Sequence, residues 1–411
     1  MAEKQKLHLI GLAPEAGGPP PAVNAVVEAA DVLAGGDRLL EMFPDSRAER
    51  CRLTTPLDEW LARLQKMWAE GRKVAVLASG DPNYYGLGKK LLTVFSPQDI
   101  VVMPAVTSVQ IAFARLKTAW DQTEAVSLHG RGDRTDFWTG LYRTAHYGSG
   151  RLAVYTDADN SPSVIAKRLL GRGQHNWRMT VFEDLGAPDE RITSWSLFEA
   201  KIREFSPLNL VLLECLKKPE PVFPGMPEEA YIHEAGLITK REVRMVALGL
   251  LALQPRHTLW DLGAGSGAMS IEAAALMPRG SVWAVEKSPL RAEQIAANRA
   301  KFGVSHVDII EDGAMEAMKY LPSPDRIFIG GGGEGLEDIV REAKAHLRPR
   351  GLLVVALVSL DKIGRIAKLL RELGLEMSVT QVQIARSEAL AAGFYFKPLN
   401  QVWLARGTAK S

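Results

Sequence analysis

A short apolar strand, Leu259–Leu262, runs straight into Gly263, Gly265 and Gly267 and then into a helix-patterned segment, and this junction constrains the fold more than any other stretch. Glycines spaced in this way let a chain turn sharply between a strand and a helix, and let its backbone approach a ligand with no Cβ in the way. A second strand, Ser281–Val285, leads into Glu286, the place about twenty residues on where a ribose-binding carboxylate belongs. The junction reads as a nucleotide-type cofactor loop in an α/β sheet. Gly263, Gly265 and Ala268 also satisfy the G-x-G-x-x-G/A dinucleotide pattern, so these residues alone leave a nicotinamide dinucleotide and another nucleoside-type cofactor both open.

At 411 residues the chain is too long for one ordinary core, and two or three domains are expected. From residue 7 to about 215, apolar strand candidates alternate with helical segments: Leu7–Leu12, Val74–Ala78, Ile100–Met103, Leu152–Tyr155, Met179–Phe182 and Leu208–Leu213. That is α/β rhythm. Pro219, Pro221, Pro224 and Pro227 then crowd one short stretch, which blocks regular structure and marks a linker. The expected division is residues 1–216, a linker at 217–227, and 228–411. Beyond the linker a helix pattern over Lys240–Leu253 precedes seven strand candidates: Thr258–Leu262, Ser281–Val285, Val307–Glu311, Arg326–Ile329, Leu352–Val358, Val379–Ile384 and Gln401–Ala405. These make one doubly wound sheet, whose last two strands are joined by a loop with no room for a crossover helix and should pair antiparallel.

A net charge of +2 gives no bulk field to draw nucleic acid or an anionic membrane. No apolar run approaches bilayer length, and Met1–Ile10 turns into a strand too soon to form the apolar core of a signal peptide. Cys51 and Cys215, the only two cysteines, sit in apolar surroundings, which predicts buried, reduced thiols rather than a disulfide framework or a metal site. A cytoplasmic protein with no metal, nucleic-acid or membrane partner is expected.

A parallel sheet closed by an antiparallel strand pair resembles the class I S-adenosylmethionine (SAM) methyltransferases, and Asp261–Gly267 is similar to their first motif. The resemblance implies a Rossmann-like fold. Asp261, Gly263, Gly265 and Gly267 would then serve the methionine part of SAM, Glu286 the ribose hydroxyls, and Asp312 with Ala314 the adenine edge. More narrowly, Gly236–Arg244, Trp260–Ala273 and Ile329–Gly333 together resemble the decarboxylating precorrin methyltransferase domain of corrin synthesis. That likeness implies that Thr239, Lys240 and Arg244 face substrate carboxylates and that Gly331 and Gly332 face the substrate. Read as residues alone, the charged run is equally a solvated helix face and the glycine run a flexible turn.

The first half resembles the tetrapyrrole methylase family over essentially its full length. Leu77–Gly88 carries the strongest match, supported in family order by Leu9–Pro14, Met103–Gln110, Asp157–Ile165, Glu183–Glu190 and Ser206–Leu210. The resemblance implies a two-lobed α/β fold that holds SAM in the cleft between its lobes, largely through backbone groups. Gly11, Ser79, Gly80, Asp81, Tyr85, Gly86, Thr107 and Ser108 are the implied donor-binding residues. Departures from the family pattern are a glycine-poor Gly11–Gly17 loop, Ala105 in place of a glycine, Ala356–Ser359 where an Asn-containing segment is usual, and Gln401 where the family has proline.

The order of the two halves is similar to that of the bifunctional methyltransferase family acting on precorrin-6 in cobalamin synthesis. This implies SAM-dependent methylation of C5 by the first half, methylation of C15 with loss of the C12 acetate carboxyl by the second, a small-molecule tetrapyrrole partner and a homo-oligomer. No catalytic residue is identified, because the meso carbons of a reduced tetrapyrrole are themselves enamine-like nucleophiles. His233 reads either as a proton donor or as a satisfied polar side chain. His129, Arg131 and Arg134 read either as propionate partners or as solvated loop charges. A catalytically silent N-terminal binding module and an RNA methyltransferase are the competing readings, and the near-neutral charge with no basic stripe weighs against the second.

Overall fold

The computed structural model describes residues 5–13, 18–129, 135–234, 236–330, 333 and 335–409. The first sheet takes β1 (Leu7–Leu12), β2 (Val32–Gly35), β3 (Glu49–Arg52), β4 (Val74–Ser79) and β5 (Ile100–Met103) in the order β3-β2-β4-β1-β5, all parallel. The second takes β6 (Glu124–Ser127), β7 (Arg151–Tyr155), β8 (Trp177–Glu183), β9 (Arg191–Ser196) and β10 (Asn209–Cys215) in the order β6-β7-β10-β8-β9, with β6 and β7 as its parallel pair. In the first sheet β1 and β4 are neighbours, yet the chain leaves β1 toward β2 on one side and β4 toward β5 on the other. Such a switch point opens a crevice at the carboxyl edge of the strands.

Strands β11 (Thr258–Leu262), β12 (Ser281–Val285), β13 (Val307–Ile310), β14 (Arg326–Ile329), β15 (Leu352–Leu357) and β16 (Glu376–Val382) form the third sheet with β19 (Val402–Thr408), in the order β13-β12-β11-β14-β15-β19-β16. β19 runs antiparallel to β16, as expected for the last two strands, and to β15 as well. The switch point lies between β11 and β14. Each face of this sheet carries its own core: Leu259 packs into one, and Trp260 and Leu262 into the other. A large apolar side chain buried this fully contributes about 1.5–3 kcal/mol.

Four strands of the first half escape the hydrophobic pattern. β2, β3 and β6 are four residues each, and β3 and β9 are edge strands whose residues are largely exposed or half-buried, so neither length nor alternation announces them. The segment read as a plain loop between the last two strands holds a hairpin, β17 (Ala385–Leu390) with β18 (Gly393–Pro398). Nearly every hairpin residue is exposed, the apolar Leu390, Phe394 and Phe396 among them, so the hairpin adds no side chain to a buried core.

Residues 216–227 carry neither helix nor strand, and the two halves meet along a packed seam beside them. Tyr142, on the helix Thr135–His146, is fully buried in the core of the third sheet. Ser305 Oγ donates to the Trp138 carbonyl at 2.7 Å, and Arg172 lies over the Trp138 ring while donating to the Ser305 carbonyl and pairing with Asp308. His306 is sealed in this seam against Tyr142, and its pKa is pushed down to about 4, chiefly by burial. Among the described residues no helix is long and apolar enough to cross a membrane, and no group of three or more His, Cys, Asp or Glu residues is placed to hold a metal ion.

Candidate active site

In the second half, Gly263, Gly265 and Gly267 all adopt positive φ, at 77°, 60° and 78°, the region that favours glycine. The N–H groups of Gly263 and Ala264 both donate to the Val285 carbonyl, and Gly330 N–H donates to the Leu262 carbonyl. These bonds draw together the carboxyl ends of β11, β12 and β14. A Cβ on Gly263 would lie 2.3 Å from the Gly330 carbonyl oxygen, whereas one on Gly265 would meet nothing within 4 Å. Gly263 is thus needed for packing, while Gly265 faces open space, as a cradle for a ligand requires.

Glu286 is 4% exposed, and its oxygens accept the N–H groups of Gly265 at 2.9 Å and Ser288 at 3.1 Å. Each oxygen keeps a second lone pair for a ligand hydroxyl. Asp261 lies beneath the loop with no exposed surface, so the expectation that it touches the cofactor is corrected to a supporting position. Its Oδ2 accepts from Ser270 Oγ at 2.5 Å and its Oδ1 has no partner. Burial first, and the nearby Glu286 charge after it, push its carboxyl up to about 7. Asp312 follows β13, accepting from its neighbour Gly313 N–H and from Tyr320 Oη, and Ala314 opens a short helix after it. Asn298 went unnoticed in the sequence, yet its amide bonds the carbonyls of Ser266 and Ile232 and fixes the loop from behind. A lone polar residue on a helix gives no sequence signal for such a role.

The charged run upstream divides. Thr239 is exposed and Lys240 half-buried at the start of the helix Arg241–Leu251. Arg244, expected to face substrate carboxylates, is instead completely buried. Its guanidinium pairs with Glu272 at 2.7 Å and donates to the Thr239 and Met226 carbonyls, while Tyr231 Oη and Gly225 N–H complete the shell of Glu272. A guanidinium with its donors used inside the core cannot also reach a substrate. Gly331 and Gly332 lie outside the described residues, as do Arg131 and Arg134. Half-buried His233 places Nδ1 2.9 Å from the Glu234 carbonyl, the satisfied arrangement rather than one aimed at the loop.

In the first half three strand ends are pressed together. A Cβ on Gly11 would lie 2.1 Å from the Gly80 carbonyl oxygen and 2.8 Å from the Ala105 nitrogen, and Gly80, at φ 64°, packs on Thr107. Thr107 caps the helix Ser108–Leu116 through a reciprocal bond set with Gln110. Asp81 Oδ1 accepts from Asn83 N–H, and Gly86 folds tightly onto the Pro82 carbonyl. Tyr85 Oη donates to the Ala125 carbonyl of β6 at 2.7 Å, bridging the two sheets. Ser79 is exposed beside this cradle. Tyr155, read only as the end of a strand, joins Tyr84 and Tyr85 in a ring cluster, and burial pushes the Tyr84 phenol up to about 12.

Residues 6–201 match the family model of tetrapyrrole (corrin/porphyrin) methylases, and residues 229–406 match a precorrin methyltransferase domain. A precorrin-6Y C(5,15)-methyltransferase (decarboxylating) of Sinorhizobium sp. is 32% identical over 383 residues, covering 91% of this chain and 89% of the relative. The chain belongs to the precorrin-6Y C(5,15)-methyltransferase (decarboxylating) family. A probable cobalt-precorrin-6B C(15)-methyltransferase (decarboxylating) of Pyrobaculum aerophilum is 37% identical over 184 residues, 44% of this chain and 94% of the relative. A solved precorrin-6y C5,15-methyltransferase structure from Geobacter metallireducens aligns at 36% identity with a TM-score of 0.44, covering 46% of this chain and all of that one.

Proposed function

We propose that this chain methylates precorrin-6B at C5 and C15 and decarboxylates its C12 acetate, yielding precorrin-8 in cobalamin synthesis, with SAM as donor in both halves. The observation that carries the reading is the match to a two-activity relative along nearly the whole length of both chains. Residues 1–216 are assigned the C5 transfer, residues 228–411 the C15 transfer and decarboxylation, and 217–227 the linker between them.

SAM supplies an activated methyl group on a sulfonium. The residues present fit it: the second half offers the open face of Gly265 and the buried Glu286 carboxylate, and the first offers a backbone cradle at Gly11, Gly80 and Thr107. In each transfer a nucleophilic macrocycle carbon forms the new C–C bond as the C–S bond breaks and its electron pair stays on sulfur. In decarboxylation the C–CO2 pair flows into the ring system and a proton replaces the lost carboxyl. The protein's part is alignment and exclusion of water, which supplies about 7–11 kcal/mol of a barrier. Gly263 and Gly330 lock the loop, Glu286 orients the donor's ribose, and Asp312 borders its adenine. Incubation with reduced precorrin-6 and labelled SAM, followed by mass analysis, tests the reading. Gain of two methyl groups with loss of one CO2 is expected, and one methyl group without CO2 loss would overturn the two-site version.

A further inference from the structure

With Arg244 sealed inside the second half, the carboxylates of a tetrapyrrole need cations elsewhere, and the carboxyl edge of the first sheet supplies one. β2 ends at Gly35, paired with Arg52 of β3, and the Gly35 carbonyl accepts from Leu53 N–H at 2.8 Å. The chain then turns into Asp37 and Arg38, where Arg38 Nη2 sits 3.4 Å from Ser79 Oγ at the end of β4. Ser79 immediately precedes Gly80, the residue pressed on Gly11 at the switch point. Arg38 therefore stands at the rim of the first donor cradle.

The charges around it are already sorted. Asp37 is taken by Arg52 at 3.4 Å, Arg50 donates to the Phe43 carbonyl, and Arg63 to Thr54 Oγ1. Among the described residues no carboxylate lies within ion-pair distance of Arg38, whose contact is a neutral hydroxyl. On the same edge Leu53 is 40% and Tyr84 38% exposed. A guanidinium with no carboxylate partner among the described residues, set beside exposed apolar surface, matches a flat apolar ring with carboxylates on its rim, and a planar fork of donors can grip one carboxylate through two bonds.

We propose that Arg38 binds a peripheral carboxylate of the tetrapyrrole at the first methyl-transfer site, with Leu53 and Tyr84 under the ring. This rests on the reading that the first half methylates such a macrocycle. The second half of the same chain serves as an internal control. In full-length Arg38→Gln, the KM for the tetrapyrrole in C5 methylation is expected to rise about tenfold, the size of one lost charged hydrogen bond. The kcat at saturation, C15 methylation and CO2 release should stay unchanged. At limiting substrate the product then carries one methyl group and has still lost CO2, and Arg38→Lys recovers part of the C5 activity. Calorimetric titration with SAM should show two binding events in wild type and both variants. An unchanged C5 rate at sub-saturating substrate, or loss of one SAM-binding event in both variants, would overturn the assignment of Arg38. A wild-type chain that forms no C5-methylated product would instead overturn the parent reading and this one with it.

Discussion

The two halves build their proposed donor cradles by opposite means. In the first, the ends of β1 and β4 and the chain after β5 are pressed so closely that Gly11, Gly80 and Ala105 leave no room between them for another atom. In the second, the loop holds three glycines at positive φ, one of which faces open space, and a buried carboxylate, Glu286, accepts from the loop itself. The first site depends on backbone shape, the second on a charge held against a glycine turn. Substitutions that add bulk should therefore injure donor binding most at the first, and substitutions that remove charge should injure donor binding only at the second.

The largest effect is expected from Gly11→Ala. Its Cβ would overlap two backbone atoms, at 2.1 and 2.8 Å, and rigid neighbours make overpacking cost about 1–3 kcal/mol or more. C5 methylation should be abolished and one of two SAM-binding events lost, while C15 methylation and CO2 release continue. Retained C5 methylation would show that the pressed contact does not shape the site.

Gly265→Ala sharpens the contrast from the other side. The new methyl group meets nothing within 4 Å, at φ 60°, so the folding cost is the left-handed strain of about 1–2 kcal/mol. Because that methyl points into the space assigned to the donor, SAM affinity at the second site should fall at least about tenfold, more than the loss of stability implies. Calorimetry beside thermal melting separates the two; parallel changes in affinity and stability would mean that Gly265 matters only for the turn. Glu286→Gln comes next. A charged hydrogen bond is worth about 1.5–3 kcal/mol, so second-site affinity should drop about ten- to a hundredfold with the first site untouched, and equal losses at both sites would break the comparison.

The same contrast explains what was readable in the sequence. Gly263–Gly267 and Glu286 announce themselves because a turn at positive φ and a strand-end carboxylate each demand particular residue types, and the seven-strand order follows from long apolar runs. Gly11 and Gly80 carry little signal singly, since a close backbone approach is set by residues distant in sequence. Arg244 misled because a charged run beside a cofactor loop looks solvated or substrate-facing. Its burial depends on Glu272, Tyr231 and the Thr239 and Met226 carbonyls converging on it, and those partners meet only in the fold. The seam between the halves was equally hidden: Tyr142, Arg172 and His306 are ordinary members of helices or loops until the two halves pack.

The smallest expected effect, a pH dependence, belongs to the second site and separates its charge from the seam. Asp261 holds its proton up to about 7 rather than 3.8. Between those values the folded chain binds a proton that the unfolded chain has released, so stability from this group falls as pH rises through the window and is level above it. His306 works the other way. Its folded pKa of about 4 lies below the usual 6.5, so its contribution is full above 6.5 and is lost as pH falls toward 4. The two slopes oppose each other in wild type, and neither is read cleanly from one melting curve. Asp261→Asn keeps an acceptor for Ser270 Oγ and removes only the first slope, so His306 cancels in the difference. The melting temperature of the variant relative to wild type should rise from pH 5 to pH 7 by several degrees, each kcal/mol being worth about 2–4 °C in a domain of this size. Because Glu286 helps to hold the Asp261 proton, the same difference measured in a Glu286→Gln background should reach its plateau at lower pH. A difference independent of pH in both backgrounds would remove the coupled carboxylate pair from the second site and, with it, the contrast between a site held by charge and one held by shape.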